Sequence, residues 1–330
     1  MWHAWLQYTS PAGLYGSPVF AVGSPFFRFY RDRWRASFDS INSQQLPTAM
    51  TTVSFSHSPA ISQSIPAQVH QWLRVLHQVN PVLSWVGWAN VALLLLAVVL
   101  LPLDDRTVTG LPVWVKPIKF CLSLIVYVWT LGWLLADLPA PAQRAVRRIS
   151  WAVALSMVAE IGCIYLQAAR GTSSHFNAAT ALDGLLFSVM GIMIMVNTLA
   201  TVAAVWLVWR HRPYGPAGYV WGVRLGLLLF LIGSVLGGMM IHLNQHTVGA
   251  PDGGPGLPAL GWSTRAGDLR LAHFLGLHAL QVVPLLGWWL AHRLPRRAVL
   301  FTWLGAACYA GLVAFLFVQA LHGQPFIALR

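Results

Sequence analysis

Seven long apolar runs organise the chain. They extend from about Pro81 to Leu103, Pro117 to Leu138, Ile149 to Ala169, Gly184 to Trp209, Tyr219 to Leu243, Leu269 to Ala291 and Ala298 to Leu321. Each is close to the roughly twenty residues that a helix needs to cross a hydrocarbon layer of about 30 Å. No sheet is expected, because lone strands in lipid leave backbone N–H and C=O groups unsatisfied. The predicted fold class is therefore all-α: a polytopic integral membrane bundle of seven transmembrane helices. No internal repeat is visible.

The segment before the first run reads differently. Residues 1–27 lack the basic-then-apolar layout of a signal peptide and are interrupted by Pro11, Pro18 and Pro25. Residues 28–35 form a basic, aromatic cluster, and residues 50–68 are rich in Ser, Thr, Gln and Pro, as expected of a disordered linker. We divide the chain into a disordered or mis-assigned extension at 1–68, with Met50 as a candidate true start, and a seven-span domain at 69–330. The alternative for the extension is a basic arm that touches lipid.

Composition agrees with the pattern. Of 330 residues, 57% are hydrophobic and only 9% charged, against about a quarter charged in soluble domains. Seventeen Trp suit the membrane–water interface, where indole rings concentrate. The net charge of +12 does not indicate a nucleic-acid partner, since the Arg residues sit mostly in short loops between apolar runs and would meet lipid headgroups. Arg144, Arg147, Arg148, Arg210, Arg212, Arg293, Arg296 and Arg297 lie in loops that share one face with the N-terminus, and Asp137 is the only acid in those loops. The positive-inside rule then predicts a cytoplasmic N-terminus, an external C-terminus and a place in the cell (plasma or inner) membrane. Cys121, Cys163 and Cys308 all fall within apolar runs and read as small buried hydrophobes.

Polar residues inside or beside the spans are the functional candidates, because ionisable groups in lipid are costly. Glu160 is the only Glu in the chain. It stands ten residues before Arg170, about 15 Å deep, on a helix face shared with Cys163, Gln167 and Arg170. A carboxylate at that depth is expected to be protonated, paired or bound to a cation. The following loop supplies Arg170, Ser174, His175, Asn177, Thr180 and Asp183; capping explains some of these, with Asn177 or Thr180 as N-cap of a short helix and Asp183 as cap of the fourth span. The small residues Gly222, Gly226, Gly233 and Gly237 predict close helix packing. His242 and His246, at i and i+4, fit a metal-ligand spacing on one helix face, and a Gly/Pro-rich loop after them is a candidate lid. Asp268 can cap the sixth span, whose Arg270, His273, His278 and Gln281 descend into the membrane. Lys116 and Lys119 add positive charge at the start of the second span, where snorkelling to headgroups is expected of at least one.

Three function classes follow. The first is a membrane oxidoreductase holding haem b or a transition metal (Fe, Cu or Zn), with His175, His242, His246, His273 and His278 as ligand pool. In that reading Glu160 is the catalytic acid or proton relay, and Lys119, Gln167, Arg170, Ser174, Asn177, Asp183 and Arg270 bind a small anionic ligand or the haem propionates. The second is an ion-coupled small-molecule transporter using Glu160. The third is a membrane receptor or assembly factor. The metal-centred reading is the leading expectation. A seven-span chain with His, Asp and Ser groups is similar in kind to membrane metallohydrolases of the alkaline ceramidase type. Those place paired His in the last span, where this chain has only His322 at its end, so the sequence is assigned to no family.

Overall fold

A computed structural model describes residues 65–328. The basic cluster at 28–35, Met50 and most of the 50–68 segment lie outside the described residues. The first described element is a helix, α1 (Ile65–Val79), which the sequence reading missed and which begins inside the expected linker. It ends where Asn80 caps the next helix: the Asn80 Oδ1 accepts from the Leu83 N–H at 3.3 Å, and Pro81 occupies the first turn.

Seven helices long and apolar enough to cross a membrane follow. They are α2 (Pro81–Leu100), extended by a 3₁₀ turn to Leu103, α3 (Val115–Ala136), α4 (Gln143–Arg170), α5 (Ala181–Arg210), α6 (Ala217–Leu243), α7 (Leu269–Arg293) and α8 (Ala298–Leu321). The chain is thus a multi-pass membrane protein. Helix α4 starts several residues before the expected Ile149, and α5, at 30 residues, is about 45 Å long. Both exceed the apolar layer, which places their terminal turns among headgroups. Large apolar side chains stand open on the bundle perimeter, among them Leu95, Leu155, Ile192, Leu285 and Phe315. Cys308 is exposed on that perimeter, unlike Cys121 and Cys163, so only two of the three cysteines are buried.

Two short hairpins correct the expectation of no sheet. They lie in the loops between helices, outside the spans. β1 (Thr107–Val108) pairs with β2 (Leu111–Pro112) across Thr109 and Gly110, both at positive φ, the conformation a tight two-residue turn requires. β3 (Thr247–Val248) pairs with β4 (Gly267–Asp268) and closes the base of the Gly/Pro-rich loop.

The small-residue stripe of α6 packs as expected. A methyl group on Gly222 would meet the Val283 carbonyl at 2.7 Å, and one on Gly233 would meet the Gly276 and Leu277 backbone at 2.6 Å. Only hydrogen fits at these positions, so α6 and α7 pack more closely than any other described pair.

Candidate functional site

The loops that link α2 to α3, α4 to α5 and α6 to α7 meet at one end of the bundle. Arg106 of the first reaches the Ala169 carbonyl at the end of α4 at 3.0 Å. Its guanidinium also pairs with Asp104 at 2.7 Å, whose carboxyl is held well below the usual range, chiefly by the Arg106 hydrogen bond. Lys119 of α3 donates to the Leu260 carbonyl of the third loop at 3.2 Å.

Beneath these loops a chain of three ionisable groups runs into the bundle. Lys116 Nζ lies 3.1 Å from His175 Nδ1, and His175 Nε2 lies 3.4 Å from Glu160 Oε1. The sequence sets each position. Lys116 enters on the first turn of α3, one helix turn from Phe120, and its ammonium lies 5.8 Å from that ring. His175 is delivered by a loop that leaves α4 through a left-handed Gly171 (φ 70°) and is held by Asn177, whose amide donates to Thr172 Oγ1 and the Ser173 carbonyl. Phe120, Phe176 and Phe187 surround the imidazole at ring distances of 5.7–6.5 Å. Ser174 Oγ shares its Nδ1 at 3.1 Å. Burial, then the charge of Lys116, push the His175 imidazole below its ordinary value, so it is neutral at pH 7. A neutral ring that accepts from Lys116 at Nδ1 carries its proton on Nε2, aimed at Glu160. The second carboxylate oxygen, Glu160 Oε2, is buried without a hydrogen-bond partner, and such groups call for a functional explanation.

The arginines singled out from sequence are occupied. Arg170 Nη1 donates to Asp183 Oδ1 and to Gln167 Oε1, both at 2.5 Å, and Gln167 Nε2 donates to the same carboxylate oxygen at 2.8 Å. Thr180 caps α5 and donates to Asp183 Oδ2 at 2.6 Å. Arg170, Gln167 and Asp183 therefore lock α4 to α5. Arg270 grips Asp268 at two points, Nε to Oδ1 at 2.9 Å and Nη2 to Oδ2 at 2.6 Å, and donates to the Gly261 carbonyl. Asp268 caps α7, as anticipated, and also accepts from Ser263 N–H at 2.8 Å. Burial pushes its carboxyl up, but the Arg270 contacts outweigh it and leave it below the usual range. These contacts pin the candidate lid over Lys119.

The five histidines do not converge. Asn244 adopts a left-handed conformation (φ 53°) and ends α6 after Leu243, so His242 and His246 do not share a helix face. His242 is exposed, while His246 turns into the loop and pairs with Asp252 at 3.2 Å. Burial and the Arg270 charge push the His246 imidazole down, against the pull of Asp252. His273 Nδ1 donates to the Gly233 carbonyl at 2.7 Å and lies close enough to His175 to oppose its protonation. His278 packs edge-on against Phe274 at 4.2 Å. Among the described residues, no three His, Cys, Asp or Glu side chains form a group able to hold a metal ion.

The sequence alone points to Lys119 rather than Lys116 as the ligand-binding lysine. The structure makes Lys116 the partner of His175, a pairing across 59 residues that no local pattern reveals. Deeper in the bundle, Tyr127 donates to Asn197 Oδ1 at 2.9 Å and stacks on Phe230. No family model, curated protein or solved structure matches this chain.

Proposed function

We propose that this multi-pass membrane protein is a proton-coupled carrier of a small anion, with Lys116, His175 and Glu160 as its coupling element. The observation that carries the reading is the continuous contact from the Lys116 ammonium through the His175 ring to a buried Glu160 carboxylate with one unpartnered oxygen. In the resting arrangement the Lys116 cation and the Glu160 anion balance each other across a neutral imidazole. An anion that takes the remaining Lys116 N–H donors removes the counter-charge of Glu160. Lys116 then passes its shared proton to His175 Nδ1 while the Nε2 proton moves to Glu160, and a proton from solvent restores the Lys116 ammonium and the neutrality of the site. One anion is thus linked to one proton, and the loaded site carries no extra charge through the low-dielectric interior. The depth of Glu160 along α4, about 15 Å from the helix end, supports a carrier rather than a surface receptor.

Binding calorimetry on the purified protein in buffers of different ionisation enthalpy tests this. The probes are acetate, lactate, inorganic phosphate and glutamate. The expected result is saturable binding of at least one probe with uptake of about one proton, abolished in Glu160→Gln. Binding with no proton uptake, or unchanged uptake in Glu160→Gln, would overturn the reading.

A further inference from the structure

At the end of the bundle opposite Lys116, a second cationic group lacks a counter-ion. Arg224 sits on the second turn of α6, seven residues past its start. Its Nε donates to the Val208 carbonyl at 3.1 Å, one of the carbonyls that the last turn of α5 leaves unpaired. Its guanidinium carbon lies 5.3 Å from the Trp209 ring and 5.2 Å from the Trp221 ring. The two rings stand 81° apart, so the guanidinium fills the angle between them, and Trp303 of α8 closes on Trp221 at 5.0 Å. These contacts fix the plane of the guanidinium through cation–π attraction and use one of its five N–H groups.

The four Nη hydrogens have no acceptor, and no carboxylate lies within ion-pair range, among the described residues. The surroundings add charge of the same sign. Arg212 is near enough to act on Arg224, and among the described residues the helix ends and loops here contain Arg210, Arg293, Arg296 and Arg297 without an exposed acid; Asp137 is buried and accepts from Tyr219 at 2.6 Å. A helix of 27 residues is about 40 Å long, longer than the apolar layer, so Arg224 lies near the headgroup level rather than at mid-membrane.

We propose that Arg224, framed by Trp209, Trp221 and Trp303, is a binding site for the phosphate of an anionic phospholipid. A planar fork with free Nη donors matches a phosphodiester at two points. The indoles present edges to the glycerol region, where such rings partition. A lipid phosphate supplies the missing counter-charge and joins the end of α5 to α6 and α8. The proposal is independent of the carrier reading, since it concerns the other end of the bundle.

The test is native mass spectrometry on protein released from nanodiscs of equal phosphatidylglycerol and phosphatidylcholine, comparing wild type with Arg224→Gln and Arg148→Gln. Arg148 is an exposed arginine at the same end and controls for general surface charge. Wild type is expected to retain phosphatidylglycerol preferentially. The preference should fall about fivefold in Arg224→Gln, the loss of one interfacial cation at about 1 kcal/mol, and change less than twofold in Arg148→Gln. Equal losses in both variants would reduce the effect to diffuse surface charge and overturn the site. So would release of the lipid by millimolar inorganic phosphate, which would make it a site for the free anion. If Arg224→Gln proves aggregated, Arg224→Lys serves instead: it keeps the charge, loses the two-point fork, and is expected to fall at least twofold.

Discussion

Close backbone packing of α6 against α7 constrains the site end, and Gly233→Ala tests it. A methyl group there would lie 2.6 Å from both the Gly276 carbonyl carbon and the Leu277 nitrogen, about 0.8 Å inside ordinary contact at 3.4 Å. Both obstacles are backbone, so no rotamer change relieves them, and the helices must part. Parting them stretches the 2.7 Å bond from His273 to the Gly233 carbonyl and loosens the other glycine contacts along the same stripe. Overpacking of this kind costs roughly 1–3 kcal/mol. For a chain of this size that corresponds to a fall in thermal midpoint of about 1–5 °C. The assay is thermal unfolding in detergent, followed by tryptophan emission, with Gly191→Ala as control because nothing lies within 4 Å of the added carbon there. If Gly233→Ala melts with wild type while expressing normally, the close packing that positions His273 is wrong.

Three further outcomes follow from the same contacts. Lys116→Gln should destabilise the protein by roughly 3 kcal/mol, because it leaves the buried Glu160 uncompensated. Adding Glu160→Gln should recover about half of that loss, giving a coupling energy that a double-mutant cycle in thermal unfolding reads directly. The pH dependence has a definite sign: His175 and His246 are both held below the ordinary imidazole value of 6.5 in the fold, so the unfolded chain binds their protons more tightly. Stability present above pH 6.5 is therefore lost as pH falls toward the folded values, whereas Asp104 and Asp268 act only below the ordinary carboxylate value of 3.8. A thermal midpoint that declines from pH 6.5 to 5, and flattens in His175→Gln/His246→Gln, checks this. Asp268→Ala removes one side of a two-point pair and the α7 cap, and should cost roughly 2 kcal/mol and speed proteolysis of the 249–266 loop.

The spans were legible because period and length in lipid leave few choices: α2, α6, α7 and α8 fall within a few residues of the runs read from hydrophobicity. The cap at Asp268 was legible because one side chain decides it, whereas α5 is capped by Thr180 and not by the expected Asp183, which instead donates its N–H to the Thr180 hydroxyl. The α6 glycines were legible because a stripe of hydrogens has no other use in a packed helix. What escaped was set by tertiary contact or local backbone. The His242–His246 pairing failed at one residue, Asn244, whose left-handed turn ends the helix between them. Arg170 and Arg270 looked available for a ligand because their carboxylate partners, Asp183 and Asp268, are joined to them by folding rather than by an obvious pattern. Lys116 was underrated because a basic residue near a helix end is normally a headgroup contact, and only its neighbours, here His175, distinguish one from another. Helix α1 was hidden by its Ser- and Pro-rich approach.

Proton movement across a sealed membrane tests the central proposal most directly. The protein would be reconstituted in liposomes loaded with a pH-sensitive dye, and acetate, lactate, phosphate or glutamate added outside at constant pH, with empty liposomes setting the passive leak. The account predicts that at least one anion acidifies the lumen above that leak in wild type, that Glu160→Gln abolishes the difference, and that Lys116→Gln weakens it at least tenfold. No anion-driven acidification from folded wild-type protein, or an undiminished signal in Glu160→Gln, would contradict it.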